Sequence, residues 1–187
     1  MYKNIYLVRH CSAEGQAPDS DLTSLGKSQA ETLTEFLLDK QIDSIITSPF
    51  KRAIESIKPL ADRLGLQVKI DNRLSERILS STIHEEWLKM LEHSFQDLDI
   101  CYEGGESSRL AMKRAIEVVE DVLKSSSTNI IITTHGNLMS LILKYYDKSF
   151  GFNEWNALTN PDVFCLKFNN ALPQINRVWN ESMLLSN

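Results

Sequence analysis

The chain has 187 residues, 42% of them hydrophobic and 24% charged, with a formal net charge of −5 at pH 7. That length suits one domain and is too short for two full α/β domains, and the apolar content excludes a disordered chain. The acidic excess argues against broad nucleic-acid binding, which needs a basic surplus to displace counterions, but a few local arginines suffice for a small anionic ligand.

Residues 4–8 are apolar on both sides of a pleat, which predicts a buried parallel strand. Residues 24–38 space Leu25, Ala30, Leu33, Phe36 and Leu37 as a helix does, with Thr23 as its N-cap. Residues 42–47 predict a second buried strand. Ser48-Pro49 then reads as an N-cap followed by proline at the first helical position. Ala53, Ile57, Leu60 and Leu64 form one apolar stripe, which Gly65 ends. Residues 66–70 predict a short strand.

Residues 71–103 carry less pattern; within them 83–95 fits a helix with Trp87, Leu88 and Leu91 turned inward. Gly104-Gly105-Glu106-Ser107 predicts a turn into a long helix that buries Ala111, Ala115, Val118 and Val122. Residues 125–129 read as a loop and 129–134 as a strand. Leu138, Leu141, Ile142 and Tyr145 mark the helix that follows. Residues 163–168 and 174–179 predict two final strands, arranged as a hairpin. Strands alternating with helices imply βαβ units. The expectation is an α/β fold, a three-layer α/β/α sandwich with a mostly parallel central sheet. One domain is expected over 1–187, with residues about 77–103 as a cap or substrate-specificity segment.

Cys11, Cys101 and Cys165 are odd in number and widely spaced. Reduced thiols in a cytoplasmic protein are therefore expected instead of a disulfide frame. The apolar run before Arg9 is too short for a signal-peptide core, and no stretch approaches the roughly 18 apolar residues of a membrane span. Neither membrane nor nucleic acid is an expected partner. His84 and His93 lack metal-ligand spacing, and Gly104-Gly105 lacks the G-x-G-x-x-G of a dinucleotide loop, so no metal or cofactor is expected. Cys11 does not begin a cysteine-phosphatase loop, because the arginine closing such a loop would fall at Ala17.

The unusual polar residues fall at strand ends. Arg9-His10 ends the first strand, Arg52 lies in the first turn of the helix after the second, and His135 ends the strand that begins at Asn129. Ligands of open α/β sheets sit outside the carboxyl ends of the strands, where helix N-termini favour anions. Two guanidinium groups, two imidazoles and backbone N–H groups at one sheet edge describe a phosphate pocket.

These residues sit in six short blocks: Leu7-Val8-Arg9-His10, the stretch from Leu22-Thr23 to Gln29-Ala30, Thr47-Ser48-Pro49-Phe50-Lys51-Arg52-Ala53, Leu74-Ser75-Glu76, Gly104-Gly105-Glu106-Ser107 and Thr134-His135-Gly136-Asn137. In that order the sequence resembles the histidine phosphatase superfamily, which includes the cofactor-dependent phosphoglycerate mutases. The resemblance implies a role for each matched residue. His10 would be the nucleophile that becomes phosphohistidine. Arg9, Arg52 and His135 would clamp the phosphoryl oxygens. Glu76 would protonate the leaving oxygen and then help water attack. Gln16 would touch the phosphate where many members have Asn.

Physical chemistry supports these roles. Neutral imidazole is a good nucleophile near pH 7 if its second nitrogen donates elsewhere. Phosphoryl transfer asks mainly for positioning and charge stabilisation, and two arginines neutralise a phosphate dianion without a metal. A general acid must hold a proton, which a dry site or a neighbouring like charge favours.

Cys11 stands where most members have Gly, and Ser12-Ala13 where many have Glu-Thr, so the shape of the cradle at position 11 is in question. Arg77-Ile78-Leu79-Ser80-Ser81 departs from the Gly-containing stretch of the mutases, which favours the family's phosphatases. The expected function is metal-independent hydrolysis of a small phosphate monoester. A mutase-type phosphoryl transfer and a non-catalytic phosphate binder are the alternatives, and a phosphoprotein substrate stays open. Glu106 rivals Glu76 as the acid; its plain role is an acidic residue in the first turn of a helix. Arg52 has a plain role as an ion-pair partner of Glu55 or Glu76, Glu76 as a partner of Arg73 or Arg77, and His135 as a core histidine. Trp87, Met90, Phe95 and Tyr102 either line a pocket or form the core of their subregion.

Overall fold

β1 (Lys3–Arg9) is buried on both faces, with Ile5 and Leu7 in one core and Tyr6 and Val8 in the other. A strand buried that way belongs at the centre of a sheet with helices on each side. The computed structural model describes residues 2–169 and 171–180. In it, β1 pairs in parallel with β4 (Asn129–Thr134), which pairs in parallel with β2 (Ser44–Thr47), which pairs in parallel with β3 (Val68–Ile70). On its other side β1 meets β5 (Asp162–Phe168) antiparallel, and β5 meets β6 (Gln174–Arg177) antiparallel. The sheet order is β3-β2-β4-β1-β5-β6. Only β5 is reversed, so the sheet is mostly parallel, and the final antiparallel pair matches the expected hairpin.

One face is covered by α1 (Ser24–Leu38) and α2 (Lys51–Leu64), which pack Leu33, Leu37, Ile57 and Leu60 on Tyr6, Val8, Ile45 and Ile131. The opposite face is covered by α4 (Ser108–Lys124) and α5 (Gly136–Tyr146), packed on Ile5, Leu7, Ile130 and Ile132. Each fully buried Leu or Ile is worth roughly 1.5–3 kcal/mol of transfer free energy, so the sheet rim is held by a rigid base. The expected starts and stops are present. Thr23 Oγ1 accepts from Gly26 N at 2.9 Å, Ser107 Oγ accepts from Leu110 N at 3.3 Å, and Gly65 ends α2 with a φ of 64°.

Three expectations need correction. α2 begins at Lys51 with Phe50 at its N-cap, not at Pro49 after a Ser48 cap. The Ser48 hydroxyl is used elsewhere, 2.7 Å from His135 Nε2 and 3.2 Å from Phe50 N. α3 (Trp87–Gln96) buries Leu91 and Phe95, but Trp87 and Leu88 stay 48% and 43% exposed. Their inward placement fails because α3 overhangs a cavity instead of packing its first turn on the core. A five-residue α6 (Phe152–Asn156) and a 3-10 turn at Asn72–Leu74 were absent from the pattern, being too short to show a period.

Residues 77–106 form a strapped excursion. Ser81 N donates to Glu103 O at 2.9 Å, and Glu106 N to Ile78 O at 2.8 Å. The buried Arg77 guanidinium donates to Glu106 O and Ser94 Oγ, both at 2.8 Å. Gly105 permits the strap, since a Cβ there would lie 2.2 Å from Leu79 O.

Candidate active site

The carboxyl ends of β1, β2 and β4 deliver Arg9-His10, Ser48 and His135 to one rim. His10 is buried, and its Nδ1 lies 2.7 Å from Cys11 O. A carbonyl only accepts, so the ring proton is on Nδ1 and Nε2 keeps its lone pair. Arg52 Nε donates to that Nε2 at 3.2 Å. Burial, then Arg52 and Arg9 beside it, push the His10 pKa down to about 3, against the opposing bond to Cys11 O. The ring is therefore neutral at pH 7.

Cys11 does not crowd this cradle. Its φ lies outside the left-handed region, and its side chain is buried in the core with Val8, Leu22 and Ile57. Its amide donates to Ser56 Oγ at 2.8 Å, and Ser56 donates to Arg52 O at 2.6 Å. The position after the nucleophile candidate thus ties β1 to the helix that carries Arg52. Arg52 is itself 1% exposed and donates through Nη1 to the carbonyls of Gln16 (3.2 Å) and Ala17 (2.9 Å). Its guanidinium also lies over the Phe50 ring, 4.9 Å from the centroid. It makes no ion pair with Glu55, whose carboxylate instead accepts from Leu22 N at 3.0 Å.

His135 is fully buried. Burial, followed by His10, Arg52, Arg9 and Arg114, holds its pKa well below the ordinary value. Its ring lies edge-on to those of His10 (5.1 Å) and Phe50 (4.8 Å). Arg9 donates through Nη1 to the carbonyls of Leu158 (3.1 Å) and Thr159 (3.3 Å). Gly136 allows its approach, since a Cβ there would lie 3.1 Å from Arg9 Cζ and Nε.

Glu76 is fixed at the start of α5. Its Oε1 accepts from Arg77 N (2.9 Å) and Leu138 N (3.0 Å), and its Oε2 accepts from Asn137 N (3.0 Å). Its charged neighbours include Arg9 and Arg52, so the expected neighbouring like charge is replaced by positive charge. Glu106 is occupied differently. Arg114 grips both its oxygens at 2.8 Å and also donates to the carbonyls of Arg73 and Ser75. That pair pins the turn before α4, and Glu106 does not line the cavity.

Above His10 opens a cavity of about 740 Å³ whose inner end includes Arg9, His10, Glu76, Gly136 and Asn137. Four of the nine buried side-chain polar atoms without a partner among the described residues are beside it: Arg9 Nε, His135 Nδ1, Asn137 Nδ2 and Asn137 Oδ1. Buried polar atoms are nearly always paired, so such a concentration, three nitrogens and one amide oxygen, marks a site open to a polar ligand. Gln16 also lines the cavity, exposed, with its backbone rather than its side chain holding Arg52. Sequence reasoning missed Ser48 as a partner of His135. It also missed Asn160, whose Nδ2 donates to His10 O at 2.7 Å, and Trp155 on the cavity wall. Asn137 stood inside a quoted block without an assigned role; Asn160 and Trp155 gave no local signal.

Residues 5–181 match the sequence profile of the histidine phosphatase superfamily, branch 1. The chain belongs to that superfamily. A Hydrogenobacter thermophilus relative, provisionally named phosphoserine phosphatase 2, is 32% identical over 157 residues, covering 75% of this chain and 77% of its own. The glucosyl-3-phosphoglycerate phosphatase of Mycolicibacterium vanbaalenii is 25% identical over 167 residues, covering 75% and 72%. Among solved structures, a mycobacterial glucosyl-3-phosphoglycerate phosphatase with inorganic phosphate superposes with a TM-score of 0.78. It is 24% identical and covers 98% of this chain and 100% of that one. At that identity the superposition establishes the shared histidine phosphatase fold.

Proposed function

We propose that this member of the superfamily is a metal-independent phosphatase that hydrolyses small phosphate monoesters through a phosphohistidine on His10. The observation that carries the reading is the lone pair of His10 Nε2, bare of a proton and facing a buried guanidinium 3.2 Å away. Arg9, Arg52 and His135 hold the phosphoryl oxygens, with Gln16 at the cavity mouth. Ser48 Oγ accepts from Phe50 N and lies 2.7 Å from His135 Nε2, and we assign its own proton to that nitrogen. The His135 ring proton is then on Nδ1, as a donor to the phosphoryl group.

In the first step Arg52 Nε turns from His10 Nε2 to a phosphoryl oxygen, Nε2 attacks phosphorus, the N–P bond forms and the ester P–O bond breaks. Glu76 gives its proton to the leaving oxygen. A carboxyl group has four lone-pair sites, and three are taken by backbone N–H groups, leaving one on Oε2 for that proton. A bound phosphoryl group brings anionic charge to this corner, and a proton on Oε2 relieves the repulsion. In the second step water attacks phosphorus, Glu76 accepts its proton, the N–P bond breaks and phosphate leaves.

Among the described residues no helix is long and apolar enough to cross a membrane. Three unpaired cysteines suit a reducing compartment, and we place the protein in the cytoplasm. The test is phosphate release from p-nitrophenyl phosphate in excess EDTA between pH 5 and 8, with His10→Ala as the control. Release that the control lacks is the expected result. Equal release by both proteins overturns the phosphohistidine step. Conversion of 3-phosphoglycerate to 2-phosphoglycerate without phosphate release overturns hydrolysis in favour of a mutase.

A further inference from the structure

The cavity has two chemically distinct ends. Arg9, His10 and Glu76 occupy the inner end. The outer wall carries Leu79, Ile83, Trp87 and Met90, faced by Trp155 from α6. Trp87 and Trp155 stand edge to face with ring centroids 6.4 Å apart, and Phe152 lies 5.4 Å behind Trp155. Tyr102 holds the α3 side of this wall by donating to Met90 O at 3.1 Å. Trp87 is 48% exposed and Ile83 fully exposed, although both line a cavity where burial was available. Large apolar groups gathered at a cavity rim mark a contact surface for a ligand.

The polar part of the outer wall is Ser80, Thr82 and His84, which hydrogen-bond to one another. His84 Nε2 lies 2.9 Å from Thr82 Oγ1 and 3.2 Å from Ser80 Oγ. Among the described residues, no Lys, Arg, Asp or Glu lines the cavity beyond Arg9 and Glu76. A carboxylate on the substrate would therefore leave water to face tryptophan, with no permanently charged cation on the outer wall to receive it. Yet the substrates in the relatives' names, phosphoserine and glucosyl-3-phosphoglycerate, both carry one.

We infer that the outer wall selects a phosphate monoester whose body is an uncharged planar ring, aryl or heteroaryl, and rejects small carboxylate-bearing phosphates. This rests on the phosphatase reading for the phosphate end alone. Ring edges and faces pair with the tryptophans, while the phosphate meets the arginines.

Calorimetric titration with three non-hydrolysable probes tests it: benzylphosphonate, 2-amino-3-phosphonopropanoate and inorganic phosphate. Benzylphosphonate is expected to bind about tenfold more tightly than the amino acid phosphonate. In Trp87→Ala the ratio of benzylphosphonate to phosphate affinity falls by about the same factor, and Trp87→Phe restores most of it. Equal or tighter binding of the carboxylate probe to the wild type overturns the inference, as does no binding of benzylphosphonate. The wild-type comparison stands by itself if a variant fails to fold. The readout needs no turnover. A protein that prefers benzylphosphonate but hydrolyses nothing overturns the phosphatase reading alone, and one that hydrolyses esters but prefers the carboxylate probe overturns the wall alone.

Discussion

The floor and the outer wall of the cavity are built in opposite ways. On the floor each reactive group has several fixed partners: His10 is held by Cys11 O and Asn160, Arg52 by two carbonyls, and Glu76 by three amides. Apart from the Asn160 side chain, these partners are backbone groups of loops and of the first turn of α5, so the geometry is set before substrate arrives. The wall is built from half-buried and exposed side chains on α3, α6 and a strapped loop, and most of its contacts are apolar. A rigid charged floor suits a reaction common to many substrates. An exposed apolar wall suits the choice among them.

That contrast breaks most visibly at Arg52. Arg52→Ala is expected to lower kcat about 10²–10³-fold on every phosphate monoester, as removal of one preorganised electrostatic donor does. Steady-state kinetics on an aryl and an alkyl phosphate checks this. A loss confined to one of them would move Arg52 from the floor to the wall.

Glu76 and Glu106 separate next. Glu76→Gln is expected to lower kcat about 10²-fold on an alkyl phosphate, whose leaving oxygen needs a proton, and much less on p-nitrophenyl phosphate. Glu106→Gln loses one side of the Arg114 pair, with a stability change within about 1 kcal/mol and no dependence on the leaving group. The same leaving-group dependence in Glu106→Gln would exchange the two roles.

Burial of neutral His10 has a pH signature. Its folded pKa, about 3, lies below the unfolded value of 6.5. Between those values the unfolded chain binds the proton and the folded one does not, so stability falls as pH drops through that window. From pH 7.5 to 5 the loss due to His10 is about 2 kcal/mol. Urea unfolding of the wild type and of His10→Asn should show that difference between their pH slopes. Parallel slopes would mean that His10 takes up its proton alike in the folded and unfolded protein.

The smallest expected effect is at Gly136. A Cβ there crowds Arg9 by a few tenths of an ångström, and the flexible guanidinium yields. Gly136→Ala should raise KM by a modest factor, well below the Arg52 loss, in steady-state assays on any substrate. An unchanged KM would place Arg9 away from the phosphate.

The same contrast decided what the sequence could show. β1, β2 and β4 announce themselves as apolar runs, and the residues that follow their last turns fall at the rim by topology, so Arg9, His10, Arg52 and His135 were legible. Ser48 was misread because a serine before a proline fits a helix cap equally well, and only the fold brings His135 within 2.7 Å of it. The worry about Cys11 dissolved because its side chain faces the core, which no one-dimensional pattern states. The wall was opaque for a physical reason. Trp87 fitted a pocket wall and the core equally by its spacing, and Trp155 sits on a helix of five residues with no period to read.

The most direct measurement is to trap the intermediate. The protein is mixed with a radiolabelled phosphate monoester, quenched in alkaline denaturant, which preserves an N–P bond, and mapped by peptide. Label on the peptide carrying His10, lost on a chase with unlabelled substrate and absent from His10→Ala, is the expected result. Turnover with no label, or label on the peptide carrying His135 instead, would contradict the phosphohistidine on His10.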